Sequence, residues 1–197
     1  MDRSDSDKND SALAVLVQKG DRESFSGLVD RYQGRIFNFC YHFSRSRDTA
    51  GDLTQETFLR AYRFIRKYDP KRKFSTWIYS IARNICIDEK RKTDRVKTVP
   101  LDEISTDALP SAGTNRHLKN PSEISLHLED QAILGEAIGH LPEKYRTVVI
   151  LCYFEELPYR EIAEIMGMSL NLVKIRIFRA KKMLVEILRE RGWPDAT

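Results

Sequence analysis

The 197 residues, 41% apolar and 31% charged, supply one ordinary hydrophobic core or two small ones. They exclude a membrane-spanning helix, because no apolar run approaches the roughly 18 residues that a span needs. The net charge of +4 is unevenly spread. Tyr68 to Lys97 holds nine Lys/Arg against four Asp/Glu, and Ser169 to Arg191 seven against two, so each block carries +5 and the remainder is net acidic. Blocks of this kind are either a footprint for phosphate or solvated helix faces, and charge alone does not separate the two.

In chain order, the opening MDRSDSDKND is acidic and polar, unlike the basic start and apolar run of a secretory signal. A cytoplasmic location is therefore expected. Ser11 to Lys19 reads as a short helix. Arg22 to Phe43 places Phe25, Leu28, Val29, Tyr32, Ile36, Phe39, Cys40 and Phe43 at helical spacing. Asp48 to Tyr68 places Leu53, Thr57, Ala61, Ile65 and Tyr68 along one stripe, and Asp69-Pro70 ends that helix, because a residue before proline is pushed out of the helical region. Opposite the stripe, Asp52, Gln55, Glu56 and Leu59 fall at i, i+3, i+4 and i+7. This second stripe fits a solvated face or a docking surface for a partner helix.

A basic loop follows, and then FSTWIYSIARNICIDEKRK, Phe74 to Lys92. Winding it at helical pitch puts Trp77, Ile78, Ile81, Ala82 and Ile85 on a buried side. Thr76, Tyr79, Ser80, Arg83, Asn84, Ile87, Lys90 and Arg91 fall on the other, read as exposed. Periodicity fits an ordinary amphipathic helix with a mixed polar face. Periodicity alone favours that reading over the alternative, a platform for a splayed single strand, where bases stack on aromatics among cations. On the second reading the loop Tyr68 to Phe74 cradles an extruded base.

From Thr98 the texture changes to a Pro/Ser-rich stretch of about 30 residues with Pro100, Pro110 and Pro121, longer than a compact domain ordinarily tolerates. Helical pattern resumes near Ser125, and Pro142 suits the start of a further helix over PEKYRTVVILCYF. The expected fold is all-α: two small helical domains, residues 1–97 and 125–197, joined by a flexible linker, 98–124.

The second domain carries a helix-turn-helix. In YREIAEIMGMSLNLVKIRIFRAKKML, Ala163, Gly167 and Val173 are the fifth, ninth and fifteenth residues from Tyr159. Those places require a small residue at the helix crossing, a glycine at the turn and an apolar anchor. Ser169 is a good cap for the second helix. On that helix Val173, Ile177, Ala180, Leu184 and Leu188 face the core. Asn171, Ile175, Arg179 and Lys182 form the opposite crest, with Leu172 and Phe178 beside them and Lys174, Arg176 and Lys181 flanking. Reading groups on a crest with cations at its sides is the arrangement that specifies bases and holds phosphates.

Cys40, Cys86 and Cys152 lie far apart in apolar contexts without a CxxC, and the four histidines form no metal-binding pair, so no metal or cofactor is expected.

Three motifs at one order and spacing then resemble a known family: AGDLTQETFLRAY (Ala50–Tyr62), KFSTWIYSIARNICIDEKRK (Lys73–Lys92) and the segment from Leu141 to Leu184. The chain resembles, from Ser11 to Leu188 outside the linker, a bacterial RNA polymerase sigma factor of the extracytoplasmic-function (ECF) group. The resemblance implies a non-enzymatic protein that gives core polymerase its promoter choice and helps melt the −10 region. It implies docking on the β′ clamp helices through Asp52, Gln55, Glu56 and Leu59. It assigns the −10 element to Tyr68, Lys71, Arg72, Lys73, Phe74, Thr76, Tyr79, Ser80, Arg83, Asn84, Lys90 and Arg91, with a flipped base near the loop. It assigns the −35 element to Ser169, Asn171, Lys174, Ile175, Arg176, Phe178, Arg179 and Lys182, with the second domain packed on the β flap. It further implies a linker running toward the RNA exit channel, an anti-sigma factor as a partner, no direct membrane insertion and a monomer when free. Leu172 and Ile175 depart from the family, which often has Thr and Ser there, so the usual −35 sequence does not carry over.

Three rivals are weighed against this. A stand-alone regulator needs a dimerisation seam, and no heptad pattern supplies one. A metal-dependent nuclease could pair Asp52 with Glu56, but no third carboxylate joins them by spacing. A pure interaction adaptor leaves the basic faces unused. Contact between the two domains in the free chain would mask the DNA-reading faces.

Overall fold

In the computed structural model, residues 3–96 and 133–191 are described. The expected linker and the return of helix near Ser125 lie outside them. Helix α1 (Arg3–Gln18) closes at Gly20, whose φ of 106° is open to glycine and strained for any other residue. There Gly20 N–H bonds Val17 O at 3.0 Å and Asp21 N–H bonds Leu16 O at 3.1 Å. The Asp21 carboxylate accepts from the Glu23 and Ser24 N–H groups and starts α2 (Glu23–Ser44). Leu28, Tyr32, Ile36, Phe39, Cys40 and Phe43 of α2 are buried at the spacing the sequence sets. Buried Asp10 ties α1 to α2, accepting from Arg31 Nη1 and Tyr32 Oη, both at 2.6 Å.

Helix α3 (Arg47–Phe64) is capped by Ser46, which accepts from Thr49 N–H. The sequence pattern extends this helix to Tyr68, but the α geometry stops at Phe64 and tightens into a 3₁₀ turn over Ile65–Lys67. The loop then leads to α4 (Phe74–Val96).

The second group begins with helical residues 133–140 (α5). Pro142, in extended backbone, starts α6 (Glu143–Val149). The single helix expected over PEKYRTVVILCYF widens to π geometry at Ile150–Phe154, closed by Glu155 N–H to Ile150 O at 3.1 Å. Helices α7 (Tyr159–Met166) and α8 (Leu170–Glu190) complete the described residues.

The two groups do not stand apart. Their buried side chains form one continuous cluster from Ala14 to Ala180. Arg146, 7% exposed, reaches across to donate to Phe43 O at 3.3 Å, while it also holds Leu141 O at 3.2 Å and lies over the Phe43 ring. The His42 ring packs on Phe154, centroids 3.8 Å apart. Cys40 and Cys86 are buried neighbours with sulfurs 3.7 Å apart, raising the Cys86 thiol pKa well above its ordinary value, while Cys152 is half-buried.

Candidate nucleic-acid interface

The helix-turn-helix has the geometry its sequence requires. Gly167 ends α7 in the left-handed conformation, φ 62°, and Ser169 Oγ accepts from Leu172 N–H at 3.3 Å to start α8. Val173, Ile177 and Ala180 are buried, and Leu184 and Leu188 are half-buried. On the other side Asn171, Lys174, Ile175, Phe178, Arg179 and Lys182 are exposed, and Ser169 is exposed at the turn. Phe178 is 71% exposed, the highest value for any large apolar side chain among the described residues. Arg176 is half-buried at the flank, and Lys181 is drawn to Tyr153, with Nζ 5.4 Å from the ring centroid.

The α4 face differs from its expectation. Asn84 and Arg91 are exposed, and Ser80, Arg83 and Lys90 are half-buried. Thr76, Tyr79 and Ile87, read as part of the exposed stripe, are buried at 4%, 0% and 6%. Thr76 and Ser80 turn their hydroxyls back to the carbonyls of Lys73 and Thr76. Tyr79 is covered by the second group. Its hydroxyl donates to the Glu155 carboxylate, which also lies 3.6 Å from Arg35 Nε. Burial raises the Glu155 pKa above its ordinary value, against the pull of Tyr79 and Arg35. Burial lowers the Arg83 pKa, with Glu143 opposing and Arg176 and Arg91 adding to the shift.

The loop also differs from its expectation in exposure. Tyr68 and Phe74, expected at the DNA, are 3% and 0% exposed. With Tyr32 and Trp77 they form an aromatic floor, ring centroids 5.3–5.6 Å apart. Lys71, Arg72 and Lys73 stand exposed above it. They border a cleft of ≈ 920 Å³ whose far wall is Arg160, Glu161, Gly167 and Ser169, the turn of the helix-turn-helix. Lys73 Nζ bridges this cleft to Glu161 at 2.8 Å.

On α3, Asp52, Gln55 and Leu59 are exposed, and Glu56 is half-buried, with its carboxylate 2.5 Å from Arg60 Nε. Gln55 and Leu59 line a groove of ≈ 1030 Å³ with Phe25, Val29, Phe37, Phe58 and Tyr62. The α2 side of this groove is absent from the sequence reading, although Phe25 and Val29 are visible there as apolar. Glu155, Arg146 and Gln18 also escape it, because a polar residue in a helical pattern gives no sign that a distant element will bury it. Among the described residues no cluster of His, Cys, Asp and Glu could hold a metal, and no helix is long and apolar enough to cross a membrane.

Two helical groups, one with a basic loop beside a polar helix face and one with an exposed, cation-flanked recognition helix, define a DNA-binding protein of bipartite design. Comparison with known proteins makes the class specific. Residues 28–96 match the family model for sigma-70 region 2, and residues 131–184 that for sigma-70 region 4. The ECF RNA polymerase sigma factor SigW of Bacillus subtilis is 37% identical over 177 residues, covering 88% of this chain and 94% of that protein. The ECF sigma-E factor of Escherichia coli K12 is 33% identical over 179 residues, covering 89% and 92%. By fold the chain is similar to CnrH, solved with the cytosolic domain of CnrY (TM-score 0.68, 22% identity, 92% and 98% covered). It is equally similar to the sigma factor RpoE of Bartonella quintana, solved with the anti-sigma factor NepR (TM-score 0.68, 23% identity, 85% and 98% covered). The chain belongs to the ECF family of RNA polymerase sigma factors, the subunits that direct polymerase to promoters.

Proposed function

We propose that this sigma factor reads its promoter in two places and docks on polymerase through a third. Residues 1–97 act as the unit for the −10 element, 98–124 as the linker and 125–197 as the unit for the −35 element. The observation that carries this is the pair of basic surfaces on separate helical groups, the α8 crest and the loop Lys71–Lys73. The α8 crest enters the major groove, where Arg179 and Asn171 suit guanine and adenine edges and Ile175 suits a thymine methyl. The loop and the open end of α4 (Arg83, Asn84, Lys90, Arg91) engage the melted −10 strand. Asp52, Gln55, Glu56 and Leu59, beside the apolar groove, meet the β′ clamp helices, and the second unit packs on the β flap. The protein is not an enzyme, works in the cytoplasm as a monomer when free, and is held in check by an anti-sigma factor.

Tyr79 is sealed by Glu155, and the packed arrangement sets the loop Lys71–Lys73 across one cleft from the turn of the helix-turn-helix. Reading two separated elements requires the groups to part, and polymerase supplies the fixed spacing that makes two weak contacts act together. The free chain therefore binds promoter DNA weakly, near the about 10⁻⁴–10⁻⁶ M of non-specific contact at physiological salt, and tightly only with core enzyme. Run-off transcription with core polymerase on pooled genomic fragments tests the reading. New start sites that share spaced −10 and −35 elements support it, and DNA binding without any new transcript refutes it.

A further inference from the structure

The loop proposed to hold the −10 base is shaped largely by hydrogen bonds to its carbonyls. Tyr68 Oη donates to Arg72 O at 2.6 Å, Thr76 Oγ1 donates to Lys73 O at 2.8 Å, and Arg72 N–H donates to Asp69 O at 3.0 Å. Asp69 Oδ1 takes the Lys71 N–H at 3.0 Å. Two further bonds come from outside the loop and its flanking helices. Gln18 Nε2 donates to Ile65 O and to Tyr68 O, both at 2.8 Å. These two carbonyls bracket the 3₁₀ turn, so one amide sets where α3 stops and where the extended segment to Asp69 begins. Ser11 Oγ, also on α1, lies 2.9 Å from Tyr68 Oη.

Gln18 is itself held in place. It is the last residue of α1, and the turn at Gly20 and the Asp21 cap of α2 follow at once. Its aim at the loop is thus fixed by two helix termini. Residue 18 lies outside the segment 28–96 matched by the region 2 family model.

We infer that Gln18 is a positioning residue for base selection: the two hydrogen bonds that it donates to the carbonyls of Ile65 and Tyr68 set the shape of the loop that carries Lys71–Lys73. The inference rests on the reading that this loop holds the melted −10 strand. The cations attract phosphate whatever the backbone does, so loss of the amide bonds removes discrimination between bases and leaves phosphate attraction in place.

The test uses the full chain assembled with core RNA polymerase, and as probe single-stranded DNA with six randomised positions, the bound fraction being sequenced. Gln18→Met keeps the side chain's length and removes both donors. It is expected to flatten the preference at the selected position by about ten-fold and to lower the melting temperature slightly, as the loss of two hydrogen bonds requires, with core affinity and the salt dependence of binding unchanged. Gln18→Glu, which sets a carboxylate against two carbonyls, is expected to flatten it further. The triple variant K71A/R72A/K73A removes all three loop cations and is expected to lower the salt slope by about two. If that triple variant binds the probe as the parent does, the reading of the loop fails. If the triple variant weakens binding while Gln18→Met keeps the parent's base preference, the reading stands and the inference is overturned. Gln18→Met lowering core affinity along with preference also overturns it, since the residue is then a general support.

Discussion

Helices α4 and α8 carry the same design and meet different fates. Each has an apolar stripe against its own group, and each has an aromatic among cations on the opposite side. On α8 that aromatic, Phe178, is 71% exposed, whereas on α4 its counterpart, Tyr79, is fully buried. The helices themselves do not differ in kind. The difference is the π turn at Ile150–Phe154, which delivers Phe154 and Glu155 onto α2 and α4. Helical periodicity distinguishes faces, but the number of faces that become buried depends on what packs across them. A polar face can be buried when its groups find partners, as Tyr79 does in Glu155.

The comparison is broken most severely at the two aromatics. Tyr79→Ala is expected to cost about 3–5 kcal/mol of stability in urea unfolding, the usual loss on emptying a large aromatic from a core. Phe178→Ala is expected to stay within about 0.5 kcal/mol while weakening recognition of −35 duplex by the holoenzyme. Equal stability losses in the two variants would show that the faces are not differently used.

Acid is the next lever. Burial against Phe154 lowers the pKa of His42 from 6.5 to about 4, with the Arg45 charge adding to the shift. The stability this represents is present above pH 6.5 and lost as pH falls toward 4, at most about 3 kcal/mol by the cost of each pKa unit. Glu155 acts in the opposite sense. Its raised pKa contributes stability below 4.5 that is lost as pH rises through the raised value, with Tyr79 and Arg35 limiting the shift. Urea unfolding of His42→Leu from pH 7 to 5 is expected to lose the acid slope of the parent. A slope identical to the parent's would assign it to other groups.

Much of this molecule is legible in its sequence. The three motifs place the family, and the turn glycine, the serine cap and the α8 faces fall where spacing puts them, because those features are local. The α4 face is half legible. Asn84 and Arg91 are exposed as read, but Thr76 turns its hydroxyl to Lys73 O, and Tyr79 is covered by a residue 76 positions away in sequence. No period in α4 encodes Glu155. The burial of Tyr68 and Phe74 escapes the sequence for a related reason: a loop aromatic beside cations fits equally a stacking platform or the floor beneath one.

A smaller change sharpens the comparison at the latch itself. Tyr79→Phe keeps the ring packed and removes the donor, leaving the buried Glu155 carboxylate with Arg35 alone among these partners. The expected cost is about 1–3 kcal/mol, falling on the contact between the two groups. Small-angle scattering of the free chain should therefore show a larger radius of gyration than the parent, with far-ultraviolet circular dichroism unchanged. A compact variant of parental radius would mean that the latch contributes little and that Arg146 and the His42–Phe154 packing hold the groups.

A small effect on folding is expected at Lys73, and it separates the two roles of one side chain. Lys73 spans the cleft to Glu161 with its own side chain 43% exposed, so the pair contributes about 0–1 kcal/mol and is screened by salt. Lys73→Met and Glu161→Gln should therefore each lower the stability of the free chain slightly at low salt, and by less near 1 M salt, where the screening length falls to about 3 Å. With core polymerase the two part company. Lys73→Met removes a cation from the loop and is expected to reduce the salt slope of single-strand binding by about 0.7, the share of one phosphate contact. Glu161→Gln is expected to leave that slope alone, because the proposed parting of the groups takes α7 off the loop. Matching slopes for the two variants would place Glu161 beside the loop in the holoenzyme as well, and would mean that the groups read promoter DNA without parting.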